Sequence, residues 1–126
     1  MTLLSVRGIS KRFGGLQAVN DLSFDVATGS IKALIGPNGA GKTTIFNMIS
    51  GFLPPDSGEI VFGGAEIHAM SSCEVAVRGM VRTFQHIRLF PKMTVLENIM
   101  VGRHVHSLAG FLAGMLNLPF TWGEER

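Results

Sequence analysis

Between an apolar run, IKALI, and a second apolar run of different period, IFNMI, the chain places GPNGAGKTT. Gly36, Gly41, Lys42 and Thr43 satisfy the spacing G-x-x-x-x-G-K-[ST], and each fixed position has a physical reason if the loop must hold a polyphosphate. Glycines let the backbone curl until its N–H groups point inward. The helix that begins near Lys42 adds the positive end of its dipole, so the natural occupant is an anion. Pro37, Asn38, Gly39 and Ala40 complete the loop, and Lys42 adds a full charge. Thr43 can give its hydroxyl to a magnesium ion, which is usually shared between one or two protein oxygens and substrate phosphates. Thr44 can reach another phosphate oxygen.

The motif needs a strand before it and a helix after it. Ile31, Ala33, Leu34 and Ile35 predict a buried parallel strand. Ile45, Phe46, Met48 and Ile49 recur at helical spacing up to Gly51, which stands where a left-handed C-terminal cap belongs. With 126 residues, 46% of them hydrophobic, the chain can build one core, and 16 glycines favour a loop-rich α/β domain over a helix bundle. A net charge of +2, with Lys and Arg scattered and no basic run, gives nucleic acid no footprint. The lone Cys73 forms no internal disulfide, and MTLLSVRG lacks the plan of a signal peptide, so a cytoplasmic setting is expected.

LLSVRGI (Leu3 to Ile9) and LSFDV (Leu22 to Val26) read as strands ahead of the loop. Pro54, Pro55, Asp56 and Gly58 mark a turn, after which EIVF, Gly63-Gly64 and AEI predict a hairpin. An antiparallel subsheet is therefore expected beside the parallel one. Capping boxes, a hydroxyl residue followed three positions later by Glu, mark helix starts at Ser71 with Glu74, Thr94 with Glu97 and Thr121 with Glu124. The third announces a helix where the sequence stops, which is the expectation for a piece of a longer chain. Val105 to Gly123 carries no Asp, Glu, Lys or Arg, and its His106, Ser107, Asn117 and Pro119 favour a helix packed on the domain or its partner over a membrane span, with a membrane-surface contact as the alternative. His68, His86, His104 and His106 do not make a zinc set, since residues two apart on a helix point to different sides and no further ligand lies near.

The stretches SKRFGGLQAVNDLSF, IGPNGAGKTT and VRTFQHIRLFPKMTVLENI together resemble the ATP-binding cassette (ABC) transporter ATPases, most of all the ATPase subunit of bacterial importers for branched-chain amino acids. The resemblance covers nearly all of residues 3 to 103. It implies an α/β P-loop NTPase core with parallel strands plus an N-terminal antiparallel β-subdomain, incomplete here. Residues 1–103 would be the N-terminal part of the ATPase domain, and 104–126 the start of a segment leading to its helical subdomain. Phe13 matches the aromatic that stacks on adenine, and Val19 is the position that pads the adenosine. Gln85, at the end of an expected strand VRTFQ, matches the switch glutamine that touches magnesium or the attacking water. His86, Ile87, Arg88, Leu89 and Phe90 resemble the patch that receives the membrane-spanning subunit.

By the same resemblance the ligands are ATP and Mg2+, a second ATPase subunit closes over the nucleotide, and the protein sits on the inner face of the cell membrane. The LSGGQ-type signature, the metal-holding Asp with its catalytic Glu, and the later switch histidine of that family are missing from this sequence. The chain is accordingly expected to bind ATP without turning it over. A non-catalytic ATP-binding module is the alternative, as is an ABC ATPase for another small solute.

Overall fold

A computed structural model describes residues 1–84 and 89–103. They belong to two compact units that part between Arg82 and Thr83. The first unit contains strands β1 (Thr2–Phe13), β2 (Leu16–Ala27), β3 (Ser57–Phe62) and β4 (Ala65–Glu66), with helices α1 (Lys42–Ile49) and α2 (Ser72–Val77). The strands form one antiparallel sheet in the order β2-β1-β3-β4. The second unit contains helix α3 (Val95–Arg103).

β1 and β2 run well past the short strands that hydrophobic alternation predicts. Their ladder continues to Arg12 opposite Gln17 and Phe13 opposite Leu16, closing at a Gly14-Gly15 turn. This outer end is held by backbone pairing and not by burial, since Phe13 and Leu16 are both exposed. Nearer the core, Val6 and Ile9 are both fully buried, although simple alternation sends residues three apart to opposite faces. The register slips between them against both neighbouring strands. This is a bulge at Gly8, whose φ of +58° suits glycine. The Gly8 N–H donates to the Ser23 hydroxyl at 2.8 Å. The extra residue brings Ile9 back to the buried face.

That face receives α1 and α2. Val6, Ile9, Val19, Ile60 and Ile67 pack with Ile45 and Met48 of α1 and Val75 of α2, and full burial of an aliphatic side chain is worth about 1.5–3 kcal/mol. α1 ends as its sequence predicts: the Gly51 N–H donates to the Met48 carbonyl at 3.2 Å and the Phe52 N–H to the Asn47 carbonyl at 2.9 Å, the paired bonds of a glycine-capped helix end. A Cβ on Gly51 would lie 2.9 Å from the Ser71 carbonyl carbon, so the same glycine lets α2 start against it. Gly63 and Gly64 turn the predicted hairpin with φ of +55° and +82°, as a tight two-residue turn requires.

The expected parallel strand does not form among the described residues, and neither do the described residues of VRTFQ form a strand. Residues 31–35 have no strand partner, and Ile31 and Ile35 stand 100% and 92% exposed. Residues 81–84 are likewise outside the sheet, with Val81 exposed. A strand is made by its neighbours: apolar character can nominate a buried parallel strand, but only a flanking strand supplies the hydrogen bonds. Leu34 alone of the IKALI run leans on the core cluster.

In the second unit, Asn98 folds the approach to α3. Its Oδ1 accepts from the Phe90 N–H at 2.9 Å, and its Nδ2 donates to the carbonyls of Phe90, Met93 and Thr94. The predicted capping box is present, with the Thr94 N–H donating to Glu97 at 2.6 Å and the Glu97 N–H to the Thr94 hydroxyl at 3.3 Å. The third predicted box at Thr121, the uncharged stretch from Val105, His104 and His106, and the segment after the expected 103/104 boundary lie outside the described residues. Among those described, no helix is long and apolar enough to cross a membrane.

Candidate functional site

Residues 36–41 form a loop, exposed as far as Ala40, that hands the chain into α1 at Lys42. Gly39 and Gly41 take φ of +85° and +79°, the left-handed turns that aim successive amides to one side. The loop is held by the Ala40 N–H donating to the Pro37 carbonyl at 3.2 Å. Lys42 Nζ reaches back across it, donating to the carbonyl oxygens of Gly36 and Pro37, both at 2.6 Å. The one full charge of the loop is thereby held over the turn by its own backbone.

The start of α1 is distinctive in what it leaves open. Gly41 supplies no side-chain cap, and the first turn carries no acidic residue. At α2, by contrast, Ser71 and Glu74 bond reciprocally, with the Ser71 N–H on Glu74 Oε2 at 2.8 Å and the Glu74 N–H on the Ser71 hydroxyl at 3.4 Å. At α1 the leading amides therefore face outward with the dipole's positive end and no competing carboxylate. Thr43 is exposed on this first turn and Thr44 half-buried. A hydroxyl at that place fits a hard, oxygen-seeking cation such as magnesium once phosphate oxygens share it.

The loop is seated on the β1–β2 hairpin. A Cβ on Gly41 would fall 2.3 Å from the Ala18 carbonyl oxygen and 3.3 Å from Val19 Cγ2. Glycine is required there by space as well as by φ. Val19 is 6% exposed and belongs to the core, where it supports the loop from below. Phe13 stands at the turn end of the same hairpin, 48% exposed, two ladder pairs beyond Lys11 opposite Val19. Its ring is presented outward and not used as core.

A second set of residues, which the sequence reading missed, secures that turn end. Asp56 Oδ1 accepts from Lys11 Nζ at 2.6 Å and Oδ2 from the Arg12 N–H at 2.8 Å. The Asp56 N–H donates to the Ser10 carbonyl at 2.9 Å, and Lys11 Nζ also donates to the Pro54 carbonyl at 2.8 Å. The Lys11 ammonium, and next the Arg12 N–H, hold the Asp56 carboxyl below its ordinary range. Sequence marks Asp56 as a turn residue and nothing more, because its partners lie more than forty positions away.

Of the remaining predicted residues, Gln85, His86, Ile87 and Arg88 lie outside the described residues. Leu89 and Phe90 are 65% and 51% exposed, so neither is consumed by a core. Among the described residues no group of His, Cys, Asp or Glu is arranged to hold a metal ion.

Comparison with known proteins gives the chain a family. The model of the ABC transporter family matches residues 19–122. The chain belongs to that family. Among curated relatives it is 45% identical over 124 residues to the high-affinity branched-chain amino acid transport ATP-binding protein BraF of Pseudomonas aeruginosa, covering 98% of this chain and 49% of that protein. It is 46% identical to the corresponding protein LivG of Escherichia coli, covering 93% of this chain and 46% of that one. Among solved structures, the ADP conformation of an ATP-binding cassette of an ABC transporter superposes with a TM-score of 0.74 at 35% identity, over 94% of this chain and 46% of that one. The chain thus spans about half the length of the relatives it matches. The fold is an ABC ATPase fold, represented here by its antiparallel sheet with the loop and helices attached.

Proposed function

We propose that this chain binds ATP with magnesium at the loop 36–44, as the nucleotide-gripping part of an ABC importer's ATP-binding subunit. The observation that carries the reading is the start of α1: left-handed glycines, amides without a side-chain cap, and Lys42 poised over the loop by bonds that phosphate oxygens can replace. In this reading Gly36, Pro37, Asn38, Gly39, Ala40 and Gly41 present their backbone to the phosphates. Lys42 moves from the two carbonyls to the phosphates, Thr43 and Gln85 meet the magnesium, and Thr44 bonds a further phosphate oxygen. Phe13 stacks on the adenine, and Val19 shapes the floor on which the loop and nucleoside rest.

The names of the relatives support branched-chain amino acids as the cargo of the whole transporter. The exposure of Leu89 and Phe90 supports a docking patch with His86, Ile87 and Arg88 for a membrane-spanning subunit. A second ATPase subunit and a place on the inner face of the membrane complete the assembly. Catalysis by this chain alone is not supported. The carboxylates of Glu74 and Glu97 cap their own helices, and hydrogen bonds from Ser71 and Thr94 hold both below the ordinary range, which makes them weak proton acceptors.

Calorimetric titration of the 126-residue chain with ATP, with and without magnesium, tests the reading beside a phosphate-release assay. Magnesium-dependent binding with no phosphate release above that of Lys42→Ala is expected. Equal binding by wild type and a folded Lys42→Ala variant would remove the assignment of the loop.

A further inference from the structure

The Phe13 end of the hairpin is anchored by a side chain where a strand is missing. β3 pairs with β1 only as far as Ser57 opposite Ser10, so on that side Lys11, Arg12 and Phe13 run on with no neighbouring strand among the described residues. Asp56, the residue just before β3, takes over the missing positions. Its backbone N–H serves the Ser10 carbonyl, and its carboxylate serves the Arg12 N–H, as another residue of β3 would have done. Lys11 closes the arrangement by bonding both Asp56 and the Pro54 carbonyl, which ties the hairpin to the turn that follows α1. The Lys11 side chain is 12% exposed, so its ammonium is largely shielded, whereas Asp56 is 47% exposed.

We infer that Asp56 is a positioning residue for the purine of the bound nucleotide, acting through the Arg12 N–H and Lys11 to fix the backbone that carries Phe13. This rests on the reading of Phe13 as the base-stacking ring. A half-exposed aromatic at a hairpin tip loses rotational and backbone freedom when a base stacks on it, and a strand already fixed on both sides has less to lose. The phosphate end of the site does not depend on Asp56: the loop rests on Ala18 and Val19 of β2, and Lys42 is held by the loop itself. Asp56 therefore separates base recognition from phosphate recognition.

The test compares ATP with inorganic tripolyphosphate, which has the phosphates and no base, as calorimetric ligands of the 126-residue chain with magnesium. Asp56→Ala is expected to weaken ATP about fivefold, of the order of one lost hydrogen bond, and to leave tripolyphosphate unchanged. Asp56→Asn keeps one acceptor for the Arg12 N–H and recovers part of the loss; it also stands in should Asp56→Ala fold poorly. In Phe13→Ala, adding Asp56→Ala should cost nothing further. Equal weakening of both ligands would make Asp56 a general structural residue and overturn the inference. It would equally be overturned if Phe13→Ala weakened ATP while neither Asp56 variant did. If Phe13→Ala leaves ATP affinity unchanged, the stacking reading itself fails and takes the inference with it.

Discussion

Two helices of the first unit begin in opposite ways. α2 starts at Ser71 with its leading amide and hydroxyl bonded to Glu74, whereas α1 starts at Gly41 with no side chain to offer and a lysine as its first residue. Both have the same backbone groups to satisfy. The Ser71–Glu74 box satisfies two of them from within the chain and places a carboxylate at the positive end of the dipole, leaving an outside anion no place. α1 keeps its amides outward and surrounds them with left-handed glycines. In the proposed function, a helix start that serves stability is distinguishable from one that serves a ligand by what it declines to bond internally.

The largest expected effect is at Lys42. Lys42→Ala should weaken ATP binding by about 3 kcal/mol, roughly a hundredfold, since a charge-assisted contact to phosphate is lost. Melting temperature should hardly change, because in the free protein its ammonium bonds only exposed loop carbonyls. Ser71→Ala should do the reverse, with about 1 kcal/mol of stability lost to the missing cap and nucleotide affinity intact. Should either substitution move both readouts, the contrast between the helix starts collapses.

Gly41 and Gly39 sharpen the comparison further. Gly41→Ala meets the Ala18 carbonyl oxygen as well as a positive φ, whereas Gly39→Ala meets only the φ. The first should cost about 2–3 kcal/mol in denaturant melts, and the second about 1 kcal/mol.

The local parts of this arrangement were legible in the sequence. Gly36 to Thr43, the Gly51 cap, the Gly63-Gly64 turn and the Ser71 and Thr94 boxes are each decided within a few residues by φ and hydrogen-bonding chemistry, and each is where it was expected. What depends on distant partners was not. Apolar character nominated residues 31–35 as a strand without being able to supply a neighbour for it. The Gly8 bulge hid the common face of Val6 and Ile9, and Asp56 gave no sign that its carboxylate would reach Lys11 and Arg12.

The smallest effect is a pH dependence. Glu74 and Asp56 titrate below their ordinary values of 4.5 and 3.8, held there first by the Ser71 hydroxyl and the Lys11 ammonium respectively. A depressed folded value means that the stabilisation is present above the unfolded value and is lost as pH falls through the folded one. Thermal stability should therefore drop below about pH 4, modestly and less so in high salt because both groups are exposed. Glu74→Gln should flatten part of that slope. An unchanged slope in Glu74→Gln would mean that the α2 cap is not held by its charge.

Amide hydrogen exchange with and without magnesium and ATP tests the contrast between the two helix starts most directly, because it reads both in one experiment. The account predicts that nucleotide slows exchange at Asn38 to Thr44 and leaves Ser72 to Val75 unchanged, with the slowing absent in Lys42→Ala. Nucleotide binding that leaves the amides of Asn38 to Thr44 as fast as before, or that protects the start of α2 equally, would contradict it.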